Sequence, residues 1–114
     1  MIRIKRIYDT PSQNDGYRVL VDRLWPRGMS KEKASVDLWL KDIAPSNELR
    51  KWFNHEPDKW NEFKGRYFVE IEERGGIPAF LKEKIKAGDV TLLYSSKELQ
   101  INNAVALKEY LENK

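Results

Sequence analysis

The chain has 114 residues, a length typical of a single domain, with 21 Lys and Arg against 18 Asp and Glu. The absence of cysteine excludes disulfides, thiolate catalysis and cysteine-ligated zinc. The net charge of +3 permits an anionic partner, but no dense Lys/Arg block accompanies it. Nucleic-acid binding is therefore only weakly indicated. We expect one α/β domain over residues 1–114.

The N-terminal segment Met1–Arg6 alternates apolar with basic residues and lacks the apolar core of a signal peptide. No apolar run approaches the ~20 residues of a membrane span. These features predict a cytoplasmic protein that does not contact a membrane. The sequence indicates no cofactor, no metal site and no particular oligomeric state.

Two strands are predicted near the N-terminus. The alternating segment Ile2–Tyr8 is followed by the turn-rich Asp9–Gly16. The continuous Val19–Val21, β-branched at both ends, is typical of a strand covered on both faces. This strand ends at Asp22-Arg23. The following segment, Trp25–Gly28, can extend neither a helix nor a hydrogen-bonded strand.

The segment Val36 to Ile43 fits two structures. A strand face would contain Val36, Leu38 and Leu40, whereas a helix stripe would contain Val36, Trp39, Leu40 and Ile43. Because the loop-like Ala44–Ser46 follows within a strand's length, we favour a strand.

Helices are predicted next. Ser46 is typical of an N-cap, and it precedes apolar residues with helical spacing: Leu49, Trp52 and Phe53. Pro57 suits the first turn of a longer helix, which Gly75-Gly76 ends and whose buried stripe is Trp60, Phe63, Tyr67 and Ile71. Pro78 opens another helix, which ends at Gly88 and directs inward Phe80, Leu81 and Ile85.

Val90–Tyr94 is the second strand of buried type. The pair Ser95 and Glu98 fits a capping box before a last helix, whose apolar face is Ile101, Ala104, Leu107 and Leu111. Buried strands separated by helices predict an α/β three-layer sandwich, with a mostly parallel sheet flanked by helices. The segments around Val21 and Leu92 are expected to be neighbouring parallel strands.

Polar residues follow both buried strands. The first strand is followed by Asp22, Arg23, Trp25 and Arg27, and the second by Ser95-Ser96-Lys97. Ligands of open parallel sheets bind outside the carboxyl ends of the strands, so these groups would face one crevice. Arginine side chains donate paired hydrogen bonds to anions, and the N-terminus of a helix also attracts negative charge. The sequence therefore predicts a site for a small anion, and a phosphorylated molecule is one candidate.

Within this site we expect Arg23 and Arg27 to form forked hydrogen bonds and Trp25 to wall the pocket. A carboxylate beside arginines is a poor proton acceptor, so Asp22 is expected to orient an arginine instead of acting as a base. Each residue also has a purely structural interpretation: Asp22 caps a loop, Arg27 is a surface arginine, and Ser95 caps a helix.

Other patterns of catalytic or metal-binding residues do not fit this sequence. His55 is the single histidine, which excludes a histidine metal cluster, and its place at a helix entrance favours capping or packing. A carboxylate Mg²⁺ site using Asp22 has no spacing signature. The chain contains neither a Walker A sequence nor GxGxxG.

The segment Val19–Gly28, VLVDRLWPRG, resembles the YeaO-like family (DUF488) of uncharacterised small bacterial proteins. The match continues through Asp37–Lys41, Ala44–Ser46, Leu49–His55 and Asn102–Val105. The resemblance implies an α/β fold, a cytosolic protein of a bacterium or archaeon, and the motif residues Arg18, Asp22, Arg23, Trp25, Arg27, Lys31, Trp39, Lys41, Arg50 and His55.

A broader set of relatives carries a Cys-His-Arg run at the start of the final helix. The corresponding stretch here is Asn102-Asn103-Ala104, which lacks the thiol, the imidazole and the guanidinium. A thiolate mechanism therefore does not transfer, and covalent catalysis is disfavoured.

Three functions compete. The first is an enzyme or binding protein for a small anion held by Arg23, Arg27 and Lys97. The second is a nucleic-acid-binding or regulatory partner module in which Trp25 and Trp39 stack on bases. The third is a non-catalytic interaction subunit that uses those tryptophans as contact anchors.

Overall fold

The protein is described by a computed structural model that covers residues 1–113. Within them a four-stranded sheet has the order β1-β4-β2-β3, its strands being β1 (Ile2–Arg6), β2 (Tyr17–Leu20), β3 (Leu38–Trp39) and β4 (Val90–Tyr94). The same residues form five α-helices: α1 (Lys31–Ala34), α2 (Asn47–Phe53), α3 (Trp60–Glu73), α4 (Gly76–Ala87) and α5 (Asn103–Asn113). Short 3-10 helices span Gln13–Asp15, Lys41–Ile43 and Pro57–Lys59.

All neighbouring strands run parallel, and β4 lies between β1 and β2. Val19 pairs with Leu92 and Leu20 with Leu93, while Val21 N–H donates to the Leu93 carbonyl at 3.1 Å. The predicted parallel pairing of these two segments is confirmed. Because successive strand residues point to opposite faces, both faces must be covered, as the continuous apolar runs indicate.

Each face of the sheet packs on its own apolar cluster. The larger cluster contains Val19 and Leu92 together with residues of α2, α3, α4 and α5. The smaller cluster, on the opposite face, joins Ile7, Leu20, Ala34 and Leu93, and half-buried Trp25, Met29 and Val36 pack against it. The predicted three-layer α/β sandwich with a parallel sheet is confirmed, and its second helical layer is thin.

The apolar stripe of α3 anchors the larger cluster. Phe63, Tyr67 and Ile71 are at most 2 % exposed, whereas Trp60 is only half-buried and stacks on Phe63 at 5.6 Å. The Tyr67 hydroxyl donates to the Ile43 carbonyl at 2.6 Å, which satisfies both buried groups. The expected burial of this face is confirmed for all its members except Trp60.

A buried ion pair fixes the turn before β2. Arg18 and Asp15 are 4 % and 3 % exposed, and the Arg18 guanidinium donates to the Asp15 carboxylate. Lys5 Nζ also lies 3.2 Å from this carboxylate. Burial raises the pKa of Asp15, but hydrogen bonds from the Ser12 backbone N–H, Lys5 and Arg18 outweigh it and hold that pKa below its usual value.

The same turn requires a glycine. Gly16 has a φ of 64°, and a Cβ at this position would lie 2.3 Å from the Asp89 carbonyl oxygen. That oxygen accepts the Tyr17 N–H at 2.9 Å, so the close approach belongs to the sheet itself.

The strand favoured for Val36–Ile43 is right only for Leu38–Trp39 and wrong for the remainder. The chain pairs briefly with β2 and then turns into the 3-10 helix, where Ile43 is fully buried in the larger cluster. Burial of Ile43 against the helical layer therefore outweighs continued pairing at the sheet edge.

The expected capping box at Ser95 is wrong, because α5 begins at Asn103. Asn102 is the N-cap, since its Oδ1 accepts the Val105 N–H at 2.9 Å. Ser95 instead donates its hydroxyl to Asp22 at 2.8 Å. A tertiary hydrogen bond has replaced the predicted local one.

Two smaller expectations also fail. Phe80 was expected to face inward but is 40 % exposed, whereas its neighbour Leu81 is fully buried. Ile101 precedes α5 and does not belong to its apolar face. No helix within residues 1–113 combines the length and the apolar character that a membrane crossing requires.

Candidate functional site

The loops that follow β2 and β4 lie side by side at the carboxyl edge of the sheet. A cavity of about 870 Å³ opens between them, and α2 and the first residues of α5 complete its wall. This is the position at which open parallel sheets bind ligands. Its basic lining residues are Arg23, Arg50, Lys51 and Lys97.

Asp22 connects the two loops to the helix. Its Oδ2 accepts the Ser95 backbone N–H at 2.9 Å and the Ser95 hydroxyl at 2.8 Å. Its Oδ1 accepts the Asn103 amide at 3.0 Å, and that amide also donates to the Val21 carbonyl at 3.0 Å. The expectation that Asp22 orients an arginine is wrong, because these partners are neutral. The residue instead holds the cavity floor together.

Arg23 enters the cavity with few partners. Its Nη2 makes two long contacts, 3.4 Å to the Ala44 carbonyl and 3.3 Å to the Pro45 carbonyl. Its Nε is buried and has no hydrogen-bond partner. Buried polar groups are ordinarily satisfied, so this guanidinium retains unused donor capacity.

The other three basic side chains of the cavity are exposed to solvent. Arg50 and Lys51 lie on α2, and Lys97 lies in the loop after β4. Within residues 1–113, neither these three nor Arg23 lies within 4 Å of a carboxylate oxygen, whereas basic residues nearby in the helical layer, such as Lys59, are ion-paired. Among residues 1–113, the carboxylates that line the cavity are those of Asp22 and Glu98, so its walls carry excess positive charge.

His55 lines the cavity beside α2. Asn54 ends that helix, and both Asn54 and His55 adopt left-handed backbone conformations, with φ of 48° and 56°. The turn is closed by the Glu56 N–H, which donates to the Phe53 carbonyl at 3.0 Å. The imidazole lies 6.3 Å from the Phe53 ring, centroid to centroid. Left-handed residues other than glycine are uncommon, so the turn that carries this exposed imidazole has a conformational cost.

Of the eight residues singled out from the sequence as ligand-binding candidates, the structure brings six to this cavity: Asp22, Arg23, Arg50, His55, Ser95 and Lys97. Trp25 and Arg27 line a separate, shallower depression that shares only Leu24, Ser95 and Lys97 with it. The Trp25 indole N–H donates to the Met29 carbonyl at 2.8 Å. Trp25 and Arg27 therefore lie beside Ser95 and Lys97, as expected, but in the adjoining depression and not in the cavity that Arg23 lines.

The remaining motif residues support the fold. The Trp39 ring lies 5.5 Å from that of Trp25, and its indole N–H donates to the Asp22 carbonyl at 2.8 Å. Lys41 lies over the Trp39 ring at 5.1 Å. Arg18 belongs to the buried pair described above, and Lys31 is exposed in the first turn of α1.

The sequence-based interpretation missed Lys51 and Asn103. Lys51 follows Arg50 on α2, and this adjacency was the available signal. Asn103 lies in the stretch Asn102–Ala104, which corresponds to the Cys-His-Arg run of the broader relatives, and this correspondence was the available signal. Within residues 1–113, no three His, Asp or Glu side chains converge as metal ligands do.

Comparison with known proteins shows to which family this chain is related. A family model described as "Inactive DUF488-N3 subclade" matches residues 1–114. The chain is 42 % identical to "Uncharacterized protein YeaO" of Escherichia coli (strain K12), over 98 % of this chain and 97 % of that protein. It is 35 % identical to "Uncharacterized protein Rv3073c" of Mycobacterium tuberculosis (strain ATCC 25618 / H37Rv), over 99 % of this chain and 95 % of that protein. No solved structure matches it.

Proposed function

Because the chain belongs to the inactive DUF488-N3 subclade, within the family that its sequence resembles, we propose that it is a binding protein for a small anion. The anion is held in the cavity between the loops after β2 and β4, and it is bound without covalent catalysis. The description of the subclade supports the second part of the proposal, as does the stretch Asn102–Ala104, which offers no thiol or imidazole.

The observation that carries the proposal is uncompensated charge. Four basic side chains line one cavity without an ion pair to any carboxylate of residues 1–113. A concave surface with an excess of one charge focuses the field and attracts the opposite charge. Charge-assisted hydrogen bonds from guanidinium and ammonium groups to an oxyanion are among the strongest that a binding site offers.

The two alternative functions have less support. Trp25 and Trp39 pack against each other, and each donates its indole N–H to a backbone carbonyl. Their rings therefore contribute to the fold, which reduces the surface left for stacking on bases or for anchoring a protein partner. The nucleic-acid alternative enters the experiment as a competing outcome.

Calorimetric titration with inorganic phosphate and pyrophosphate, at constant ionic strength and pH 7, tests the proposal. We expect Arg50→Gln and Lys97→Gln each to weaken pyrophosphate binding about three- to tenfold, since each removes a hydrogen bond between charged groups. Both side chains are exposed, so their loss leaves the fold intact. Lys33→Gln, an exposed lysine outside the cavity, is the matched control and leaves the affinity unchanged.

Absence of phosphate and pyrophosphate binding at millimolar concentration contradicts the proposal. Equal weakening by Lys33→Gln and Lys97→Gln also contradicts it, because nonspecific attraction then explains the binding. A single-stranded oligonucleotide that binds tightly, with an affinity falling steeply with salt and insensitive to Arg50→Gln, supports the nucleic-acid alternative instead.

A further inference from the structure

We infer that the anion bound in this cavity carries a flat apolar body, as an aryl phosphate does, and is not a bare inorganic oxyanion. This inference rests on the proposed function and names its class of ligand. Three features of the cavity support it: its size, the apolar part of its wall, and an exposed leucine at its rim.

The size of the cavity exceeds what an inorganic anion fills. At about 870 Å³ it lies in the upper part of the range, roughly 300–1,000 Å³, in which proteins bind organic molecules. A bare phosphate would leave most of this space to water, and water would weaken the attraction between the anion and the basic side chains. A ligand with an organic body displaces that water and strengthens the same contacts.

The apolar part of the wall is aromatic. Phe53 and Phe63 both line the cavity, and their rings stack with centroids 4.5 Å apart. The His55 imidazole lies against Phe53 on the same wall, and Ile101 adds aliphatic surface from the loop before α5. Phe53 and Phe63 are only 5 % and 2 % exposed, so the surface that a ligand can contact comes mainly from the exposed His55 imidazole and half-buried Ile101. The imidazole is a planar ring, which fits a planar group stacked on it.

Leu24 marks the rim of the cavity. It is 69 % exposed, and it lies where the cavity meets the depression lined by Trp25 and Arg27. An apolar ligand body that covers Leu24 removes apolar surface from water, which favours binding. A bare oxyanion gains nothing from this contact.

The test compares inorganic phosphate, phenyl phosphate and 1-naphthyl phosphate by calorimetric titration of the full chain at pH 7 and constant ionic strength. We expect the Kd of 1-naphthyl phosphate to be about tenfold lower than that of inorganic phosphate, with phenyl phosphate between them. Leu24→Ser should remove at least half of this preference and leave inorganic phosphate binding unchanged. Leu99→Ser is the matched control, because Leu99 is also exposed, at 63 %, but lies outside the cavity.

The outcomes separate this inference from the proposed function. If inorganic phosphate binds and the aryl phosphates gain less than threefold, the inference is overturned while the proposed function stands. If none of the three compounds binds, both are overturned. Two further outcomes place the aryl group outside this cavity and overturn the inference. In the first, the aryl phosphates gain more than threefold in affinity and Leu24→Ser leaves this gain intact. In the second, Leu99→Ser abolishes the gain as fully as Leu24→Ser does.

Discussion

Replacing Asp22 with asparagine should destabilise the fold and tighten anion binding at the same time. The asparagine oxygen can keep the two hydrogen bonds from Ser95, but its amide then faces the Asn103 amide, which is also a donor. Asn103 must either lose this bond or turn away from the Val21 carbonyl. Because the site is part-buried, the loss should be about 1–2 kcal/mol of the free energy of unfolding.

The effect of Asp22→Asn on binding follows from charge. The substitution removes one negative charge from a cavity that binds an anion. At a separation of about 6 Å and an effective dielectric constant of about 40–80, the relief is roughly 0.7–1.4 kcal/mol. We therefore expect the Kd for pyrophosphate to fall about three- to tenfold.

Urea unfolding followed by tryptophan fluorescence measures the first effect, and calorimetry measures the second. Glu98→Gln is the control, because it removes the same charge from an exposed side chain that forms no hydrogen bond within residues 1–113. It should tighten binding without changing stability. The reasoning is refuted if Asp22→Asn leaves the unfolding free energy unchanged, or if it weakens binding while Glu98→Gln strengthens it.

Three further predictions concern the framework. Phe63→Ala should cost about 3–5 kcal/mol of stability, and an unchanged urea midpoint would contradict its core position. Tyr67→Phe leaves the buried Ile43 carbonyl without its donor and should cost about 1–3 kcal/mol in the same assay; a loss below about 0.5 kcal/mol argues against that hydrogen bond. Asp15→Ala leaves Arg18 buried and unpaired and should cost about 3–5 kcal/mol at pH 7. Because the pKa of Asp15 in the folded protein is lowered, the stability difference between wild type and Asp15→Ala should persist down to pH about 4 and shrink below it as the wild-type carboxylate is protonated. A stability difference that does not change with pH would contradict this prediction.

The helices and central strands could be predicted because their signals are local. The stripe from Phe63 to Ile71 on α3 requires only helical spacing, and the continuous apolar segments of β2 and β4 require only that both faces be covered. The short edge strand β3 was only partly assigned in this way, because the apolar residues from Val36 to Ile43 fit a strand and a helix alike. Leu38 and Trp39 form a strand only because β2 offers an open edge beside them.

In the candidate site, too, some features follow from the sequence and others only from the tertiary structure. The sequence by itself determined that acidic and basic residues follow two neighbouring buried strands, which is enough to bring Asp22, Arg23 and Lys97 to one edge of a parallel sheet. Only the tertiary structure decided what each does there. Asp22 binds Ser95 and Asn103, which are 73 and 81 residues away along the chain, and this contact displaces the local capping box that the sequence predicts. Local patterns fix which elements form, but side-chain partners depend on distances between elements, and packing sets these distances only when the whole core assembles.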